Sequence, residues 1–65
     1  MHLQINGQAH EYSDPLTVAS LLATLALMGR VAIEINGEIV PRGQFATRAL
    51  REGDVIEIVR AIGGG

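Results

Sequence analysis

The chain has 65 residues, of which 48% are hydrophobic, and it carries a net charge of −2 with no cysteine. This length gives one small domain, the aliphatic content excludes a disordered chain, and the lack of cysteine excludes disulfides and thiol chemistry. A chain of about 60 residues also cannot enclose a roomy active-site cavity, which argues against a self-contained enzyme.

Charge and hydropathy also restrict the location and the partners. The N-terminal residues lack the basic region and apolar stretch of a secretory signal, and no apolar run approaches the roughly 20 residues of a membrane-spanning helix. We therefore expect a cytoplasmic protein that binds no membrane. The basic residues are scattered rather than clustered, which argues against nucleic-acid binding. They are Arg30, Arg42, Arg48, Arg51 and Arg60.

The first elements are predicted to be a β-hairpin and a helix. Polar and apolar residues alternate over residues 2–6 and again over residues 9–12, around the turn dipeptide Asn6-Gly7. Thr17 is the expected N-cap of the helix, and Gly29 is the expected C′ residue in the left-handed conformation. Offsets of three and four residues predict one buried stripe. Its members are Val18, Leu21, Leu22, Leu25 and Met28.

The second half of the chain predicts three more strands. Residues 31–35 and 38–40 flank the hairpin signal Asn36-Gly37, and Pro41 ends the second of these strands. Residues 43–50 predict a loop with one helical turn, followed by a turn over residues 52–54 and a last strand over residues 55–60. Because each element has one apolar side, we expect an α+β fold in which the helix lies across one mixed sheet, the β-grasp arrangement.

The histidines and carboxylates do not predict a metal site. A two-residue hairpin turn places His10 on the face of Leu3 and Ile5, and His2 on the opposite face, so the two imidazoles cannot converge. The acidic residues show no calcium-loop spacing, and we interpret them as solvated. They include Asp14, Glu34, Glu38, Glu52, Asp54 and Glu57.

The terminal glycines, Gly63, Gly64 and Gly65, are the most informative feature of the sequence. Residues without side chains add nothing to a core and lose the most conformational entropy when ordered, so stability does not explain them. A backbone without Cβ atoms can thread a narrow channel and present its carboxylate to another enzyme. Extended at about 3.3–3.6 Å per residue, the five residues 61–65 reach roughly 17 Å beyond the sheet.

With these features the whole chain resembles the ThiS family, the ubiquitin-like sulfur carriers of thiamine thiazole biosynthesis. The resemblance rests on the Asn6-Gly7 hairpin, the helix start over residues 17–22, the segment Ala-Ile-Glu-Ile-Asn-Gly-Glu-Ile-Val-Pro-Arg over residues 32–42, the strand over residues 53–58 and the terminal glycines. One departure is Ser20, where many members carry an acidic residue.

The resemblance implies a carrier rather than an enzyme, with no catalytic residue and no bound cofactor. The Gly65 carboxylate would be adenylated by a ubiquitin-activating-like adenylyltransferase of the ThiF type, which uses ATP. It would then become a thiocarboxylate with cysteine-derived sulfur and be delivered to a thiazole synthase of the ThiG type. Gly63 and Gly64 would thread the partner's channel.

The resemblance also implies a partner surface near the tail, because ubiquitin-like carriers dock activating enzymes on the sheet face that points outward there. If Ile56 and Ile58 point at the helix, Val59 faces outward. The residues expected on this partner surface are Val59, Ile62, Arg60 and Arg42.

Two other functions share this fold and this tail. One is a carrier for another pathway, such as the small subunit of molybdopterin synthase, although the short length and residues 36–42 favour the thiamine family. The other is a ubiquitin-like protein modifier. The chain has no lysine, so self-linked chains could form only through the Met1 amine.

Overall fold

The computed structural model describes residues 1–27 and 29–60. The predictions for Met28, Ala61, Ile62 and the terminal glycines lie outside the described residues. The elements are β1 (His2–Ile5), β2 (Gln8–Glu11), α1 (Val18–Thr24), β3 (Val31–Ile35), β4 (Glu38–Val40), a 3₁₀ turn (Arg42–Gln44) and β5 (Val55–Arg60).

The described strands form one mixed sheet in the order β2-β1-β5-β3-β4. Strand β5 lies in the centre, parallel to β1 and antiparallel to β3, and two antiparallel hairpins form the flanks. The last strand therefore inserts between the two hairpins, which the connection through α1 permits. The predicted α+β class and β-grasp arrangement are confirmed.

The core lies between α1 and one face of the sheet. Alternate residues of the strands and one stripe of α1 are buried there, as periods of 2 and 3.6 require. The buried apolar residues are Leu3, Ile5, Val18, Leu21, Leu22, Ile33, Ile35, Val40, Leu50, Ile56 and Ile58. Leu25, Leu27 and Phe45 pack against this cluster at its margin.

The start of α1 agrees with the prediction, but its end does not. The Thr17 hydroxyl oxygen accepts a hydrogen bond from the Ser20 backbone N–H at 3.1 Å, which confirms Thr17 as the N-cap. Gly29 has the predicted left-handed conformation, with φ 88°, but it is not the C′ residue of α1. Ala26 occupies that position with φ 55°, and its N–H donates to the Ala23 carbonyl while the Leu27 N–H donates to the Leu22 carbonyl. These two bonds form a Schellman motif, which ends α1 after seven residues.

Both predicted Asn-Gly turns are confirmed. Asn6 and Gly7 have φ of 49° and 83°, and Asn36 and Gly37 have φ of 52° and 85°. Positive φ at both central residues is the type I′ geometry, whose twist matches that of the flanking strands. Among the described residues, no helix is long and apolar enough to cross a membrane.

Candidate functional site

Strand β5 leads directly to the C-terminal glycines, so its surroundings define the candidate site. It pairs with β3 from Ile56 to Arg60 and with β1 at Val55 and Ile56. Residues 55–60 therefore belong to the central strand of the sheet, and in the sequence two residues separate them from the glycines. A rigid strand can fix where a following segment begins.

The sheet face that lies away from α1, here called the outer face, carries exposed apolar groups. Along β5, Ile56 and Ile58 are buried in the core, whereas Val55 and Val59 are 39% and 64% exposed. The predicted outward orientation of Val59 is therefore confirmed. Ile39 on β4 is 76% exposed on the same face, opposite Glu34. Apolar groups gathered on one exposed face are typical of an interaction surface.

The outer face is organised in cross-strand rows. Val59 lies opposite Ala32, and in the next row Glu57 lies opposite Glu34. Directly opposed side chains have Cβ atoms about 4.5–5.5 Å apart, so the two carboxylates repel each other. The row nearest the glycines is thus apolar, and the following row is acidic.

A shallow pocket of about 240 Å³ lies at the end of β5 from which the glycines continue. Its lining residues are Arg30, Val31, Ala32, Val59 and Arg60. Val59 and Arg60 both line this pocket, and their role in partner binding stays a prediction; Arg30 and Ala32 line it too, and sequence reasoning missed them. The β3–β5 register, rather than any local motif, places them there. Arg42 begins the 3₁₀ turn, is exposed and does not line this pocket; its role in partner binding stays a prediction.

At the opposite end of β5, Asp54 immediately precedes the strand, and its burial overturns the prediction that all the acidic side chains are solvated. Asp54 is only 8% exposed. Its carboxylate accepts hydrogen bonds from the Asn36 side-chain amide at 3.0 Å and from the Arg51 backbone N–H at 2.9 Å. These bonds compensate for burial of the charge. A polar pocket of about 480 Å³ beside it is lined by Asn36, Thr47, Arg48, Ala49, Arg51 and Asp54.

The two turn asparagines attach the hairpins to β5. The Asn36 side-chain oxygen accepts from the Val55 N–H at 2.9 Å. The Asn6 side chain accepts from the Ile58 N–H at 2.8 Å and donates to the Ile58 carbonyl at 3.2 Å. β1 ends at Ile5, and beyond that point the Asn6 side-chain amide replaces it as the hydrogen-bonding partner of the β5 backbone. Sequence reasoning found these residues as turn formers and missed this second role.

An exposed polar cluster lies at the start of β1. The His2 imidazole lies 3.1 Å from a Glu52 carboxylate oxygen and 3.9 Å from a Glu11 oxygen. The His2 backbone N–H donates to Glu52 at 2.9 Å, and this bond, assisted by the His2 side chain, lowers the pKa of Glu52. His10 lies on the other face, paired with Leu3, as predicted. Its ring also stacks on that of Tyr12. No group of three ligating side chains suitable for a metal occurs in residues 1–27 and 29–60.

Comparison with known proteins places this fold and its glycine end in one family. The family model described as "ThiS family" matches residues 3–65. This chain belongs to the ThiS family. It is similar to the sulfur carrier protein ThiS of Bacillus subtilis, with 38% identity over 97% of this chain and 98% of that protein.

A thiazole synthase and a solved structure extend the comparison. A thiazole synthase of Paramagnetospirillum magneticum is 47% identical over 66 residues; the match covers 100% of this chain but only 20% of that protein. The chain thus spans a fifth of the length of this relative. The crystal structure of a ThiS thiamine biosynthesis protein from Geobacter metallireducens superposes with a TM-score of 0.84 at 32% identity, covering 100% of both chains. The fold is therefore that of a ThiS protein.

Proposed function

We propose that this chain is a sulfur carrier of thiamine biosynthesis that holds sulfur as a thiocarboxylate on Gly65. One observation carries the proposal: the similarity to a named sulfur carrier protein spans 97% of this chain and 98% of the relative. The family match extends to residue 65, so it includes the glycine end on which the chemistry depends. Within this proposal the protein works in the cytoplasm.

The proposed cycle activates a poor electrophile before sulfur arrives. The Gly65 carboxylate attacks the α-phosphate of ATP, pyrophosphate leaves, and an acyl adenylate forms. Sulfur at the oxidation level of sulfide, from a cysteine-derived donor, then adds to the carbonyl carbon and displaces AMP. The product is a thiocarboxylate, which is a sulfur nucleophile at neutral pH. The carrier is a co-substrate, and its partners supply the catalytic groups and use the ATP.

Two partners follow from this cycle. An adenylyltransferase of the ThiF type would receive the glycines, with Gly63 and Gly64 inside its channel, and dock on the surface around Val59, Arg60, Ile62 and Arg42. A thiazole synthase of the ThiG type would accept the sulfur. Support for the second partner comes from the P. magneticum thiazole synthase, which contains a region similar to this whole chain.

Intact-mass spectrometry tests the proposal. The purified chain is incubated with ATP, the activating enzyme and a cysteine-derived sulfur source. We expect a mass increase equal to the replacement of one oxygen by sulfur, and no increase in a control lacking Gly64 and Gly65. An adduct with another protein would instead identify a modifier. A loaded chain that serves molybdopterin synthase but not thiazole synthase would identify a carrier for the other pathway.

A further inference from the structure

Both asparagines of the chain, Asn6 and Asn36, lie in the same tripeptide, Ile-Asn-Gly. An asparagine followed by glycine loses ammonia in water more readily than other asparagines, because a glycine without a Cβ leaves its backbone nitrogen open to attack by way of the neighbouring side chain. Both asparagines have positive φ at the tip of a hairpin, and both are exposed to solvent. Local sequence and access to water are therefore alike at the two sites.

The reaction is deamidation through a cyclic imide. At Asn36, the Gly37 backbone nitrogen gives its proton to water and attacks the side-chain amide carbon. A new C–N bond forms, the side-chain nitrogen takes up a proton and leaves as ammonia, and a five-membered imide results. Water then opens the ring at either carbonyl, which gives aspartate or isoaspartate. At Asn6 the Gly7 nitrogen reacts in the same way.

In the folded chain, both side-chain amides are engaged in hydrogen bonds that this reaction must break. The Asn36 nitrogen donates to the Asp54 carboxylate at 3.0 Å, and its oxygen accepts from the Val55 N–H at 2.9 Å. The Asn6 nitrogen donates to the Ile58 carbonyl at 3.2 Å, and its oxygen accepts from the Ile58 N–H at 2.8 Å. Ring closure brings the amide carbon onto the backbone of the turn and expels the donating nitrogen, so each amide must first leave its partner.

The two donor bonds differ in strength. The acceptor for Asn36 is the carboxylate of Asp54, which is only 8% exposed, whereas the acceptor for Asn6 is a neutral carbonyl. Hydrogen bonds to an ionised acceptor are roughly twice as strong as neutral ones. An ionised carboxylate also has no proton to give to the departing nitrogen. Asn36 is therefore held more firmly than Asn6.

We propose that Asn6 and Asn36 are deamidation sites that the fold protects, and that Asn6 reacts first in the folded chain. The modification marks chains in which a hairpin has come away from β5. An aspartate at position 6 cannot donate to the Ile58 carbonyl, and an isoaspartate inserts an extra main-chain carbon into a two-residue turn. Each product holds β5 less firmly than asparagine does. This inference is independent of the proposed function.

The test compares deamidation of the full chain at mildly alkaline pH, folded in buffer and unfolded in guanidinium chloride. Cleavage after arginine places Asn6 in the peptide 1–30 and Asn36 in the peptide 31–42, so mass spectrometry follows each site separately. We expect similar rates at the two sites in the unfolded chain, and rates at least about tenfold lower in the folded chain. In the folded chain, Asn6 should react at least about threefold faster than Asn36.

A variant of the acceptor tests the charged bond. Asp54→Asn keeps an acceptor beside Asn36 and removes its charge, so the rate at Asn36 should rise toward the rate at Asn6. Position 54 lies in the peptide 52–60 and does not disturb the measurement. The matched control is Glu57→Gln, which also removes one carboxylate from this part of the chain. Within the part of the chain that the structure describes, Glu57 forms no hydrogen bond with either asparagine, so the ratio of the two rates should stay unchanged.

Three results would overturn the inference. Equal rates in the folded and the unfolded chain would show that the fold does not protect these sites, and no reaction in the unfolded chain would show that they are not deamidation sites. Faster reaction of Asn36 than of Asn6 in the folded wild type would contradict the order. An unchanged ratio in Asp54→Asn, with circular dichroism showing the native fold, would remove the role assigned to the Asp54 carboxylate and with it the reason for that order.

Discussion

The side-chain amides of Asn6 and Asn36 each bond to the backbone of β5, from opposite sides of that strand. Each asparagine also occupies the first central position of a type I′ turn. Asparagine therefore serves two roles: it tolerates the positive φ of the turn, and its side-chain amide hydrogen-bonds to the central strand. Aspartate could not reproduce the donor half of this arrangement at neutral pH.

Replacing Asn36 by Gly isolates the second role, because glycine keeps the turn geometry. The variant loses the bond to the Val55 N–H and the bond to the buried Asp54 carboxylate. We expect the free energy of unfolding to fall by about 1–3 kcal/mol. Chemical denaturation measured by circular dichroism gives this value, and an unchanged value would show that the turn alone matters.

The companion variant Asn36→Asp places a second carboxylate against Asp54. The two carboxylates repel each other, and the bond that the Asn36 amide donates to Asp54 is lost. The variant should therefore be less stable at neutral pH than Asn36→Gly, which loses the same bond without adding a charge. Chemical denaturation of the two variants at pH 7 measures the difference, and equal stability would contradict the proximity of the two side chains.

Ala26 is the other residue with a testable backbone. Its φ of 55° lies in the left-handed region, where glycine has no Cβ penalty. Ala26→Gly should therefore raise the melting temperature, with a gain of about 0.5–1 kcal/mol. The matched control is Ala23→Gly within α1, where glycine should cost a similar amount. If both variants were destabilised alike, Ala26 would not be the C′ residue.

Glu52 provides a pH-dependent prediction. The His2 backbone N–H lowers the pKa of its carboxyl, so ionised Glu52 favours the folded state. This contribution is present above the unfolded-state pKa and is lost as pH falls through the lower folded-state pKa. A carbon-13 titration should give Glu52 a midpoint below the ordinary value of a glutamate side chain. Glu52→Gln should make the acid side of the stability profile shallower, and an unchanged profile would contradict the sign.

At the scale of elements, α1 depends on the sheet. A helix of seven residues is not stable alone in water, because nucleation costs more than so few hydrogen bonds return. Its stability comes from Val18, Leu21 and Leu22, which are buried against the strands. The sheet depends equally on α1, since one of its faces is otherwise uncovered.

Leu21→Ala tests this dependence at the centre of the contact. Leu21 is 1% exposed, and truncation should cost about 2–5 kcal/mol, a large share of the total stability of a small domain. Ile39→Ala on the outer face removes a similar side chain that is 76% exposed, so its cost should stay near 0.5 kcal/mol. Urea unfolding of the two variants measures the contrast. Similar losses would mean that α1 covers less of the core than described.

At the scale of the whole molecule, the proposed function requires two steps, docking of the outer face on the activating enzyme and threading of the glycines into its channel. Val59→Asp puts a charge in the apolar row of the outer face, where it is solvated in the free protein but unpaired against a partner. We expect normal folding and weaker binding to the activating enzyme.

Gly64→Ala leaves the outer face unchanged and adds a methyl group to the glycine end, so it should bind nearly normally and be adenylated slowly. Calorimetry and pyrophosphate release distinguish the two effects. Wild-type turnover of Gly64→Ala would contradict a channel shaped for bare backbone.

The local features of this protein follow from its sequence alone. Periodicity and turn chemistry predict these features because each depends on neighbours within a few residues. They are the two Asn-Gly turns, the Thr17 cap, the alternation along β5 and the apolar stripe of α1. The glycine end and the family segments likewise pointed to a carrier before any geometry was known. The α+β class followed because one helix and five one-sided strands have few ways to share a core.

Only the tertiary structure determined what lies between elements that are distant in the chain. Asp54 is buried beside Asn36, which belongs to a different hairpin. Helix α1 ends with Ala26 as its C′ residue because of two backbone hydrogen bonds to the Ala23 and Leu22 carbonyls, which no sequence pattern predicts. The rows of the outer face arise in the same way, since Ala32 and Glu34 come to lie opposite Val59 and Glu57 through the register of β3 on β5. Register is a property of a pair of strands, and a slip of one residue would turn every side chain to the other face. Such pairings are long-range, so they become visible only when the chain is folded.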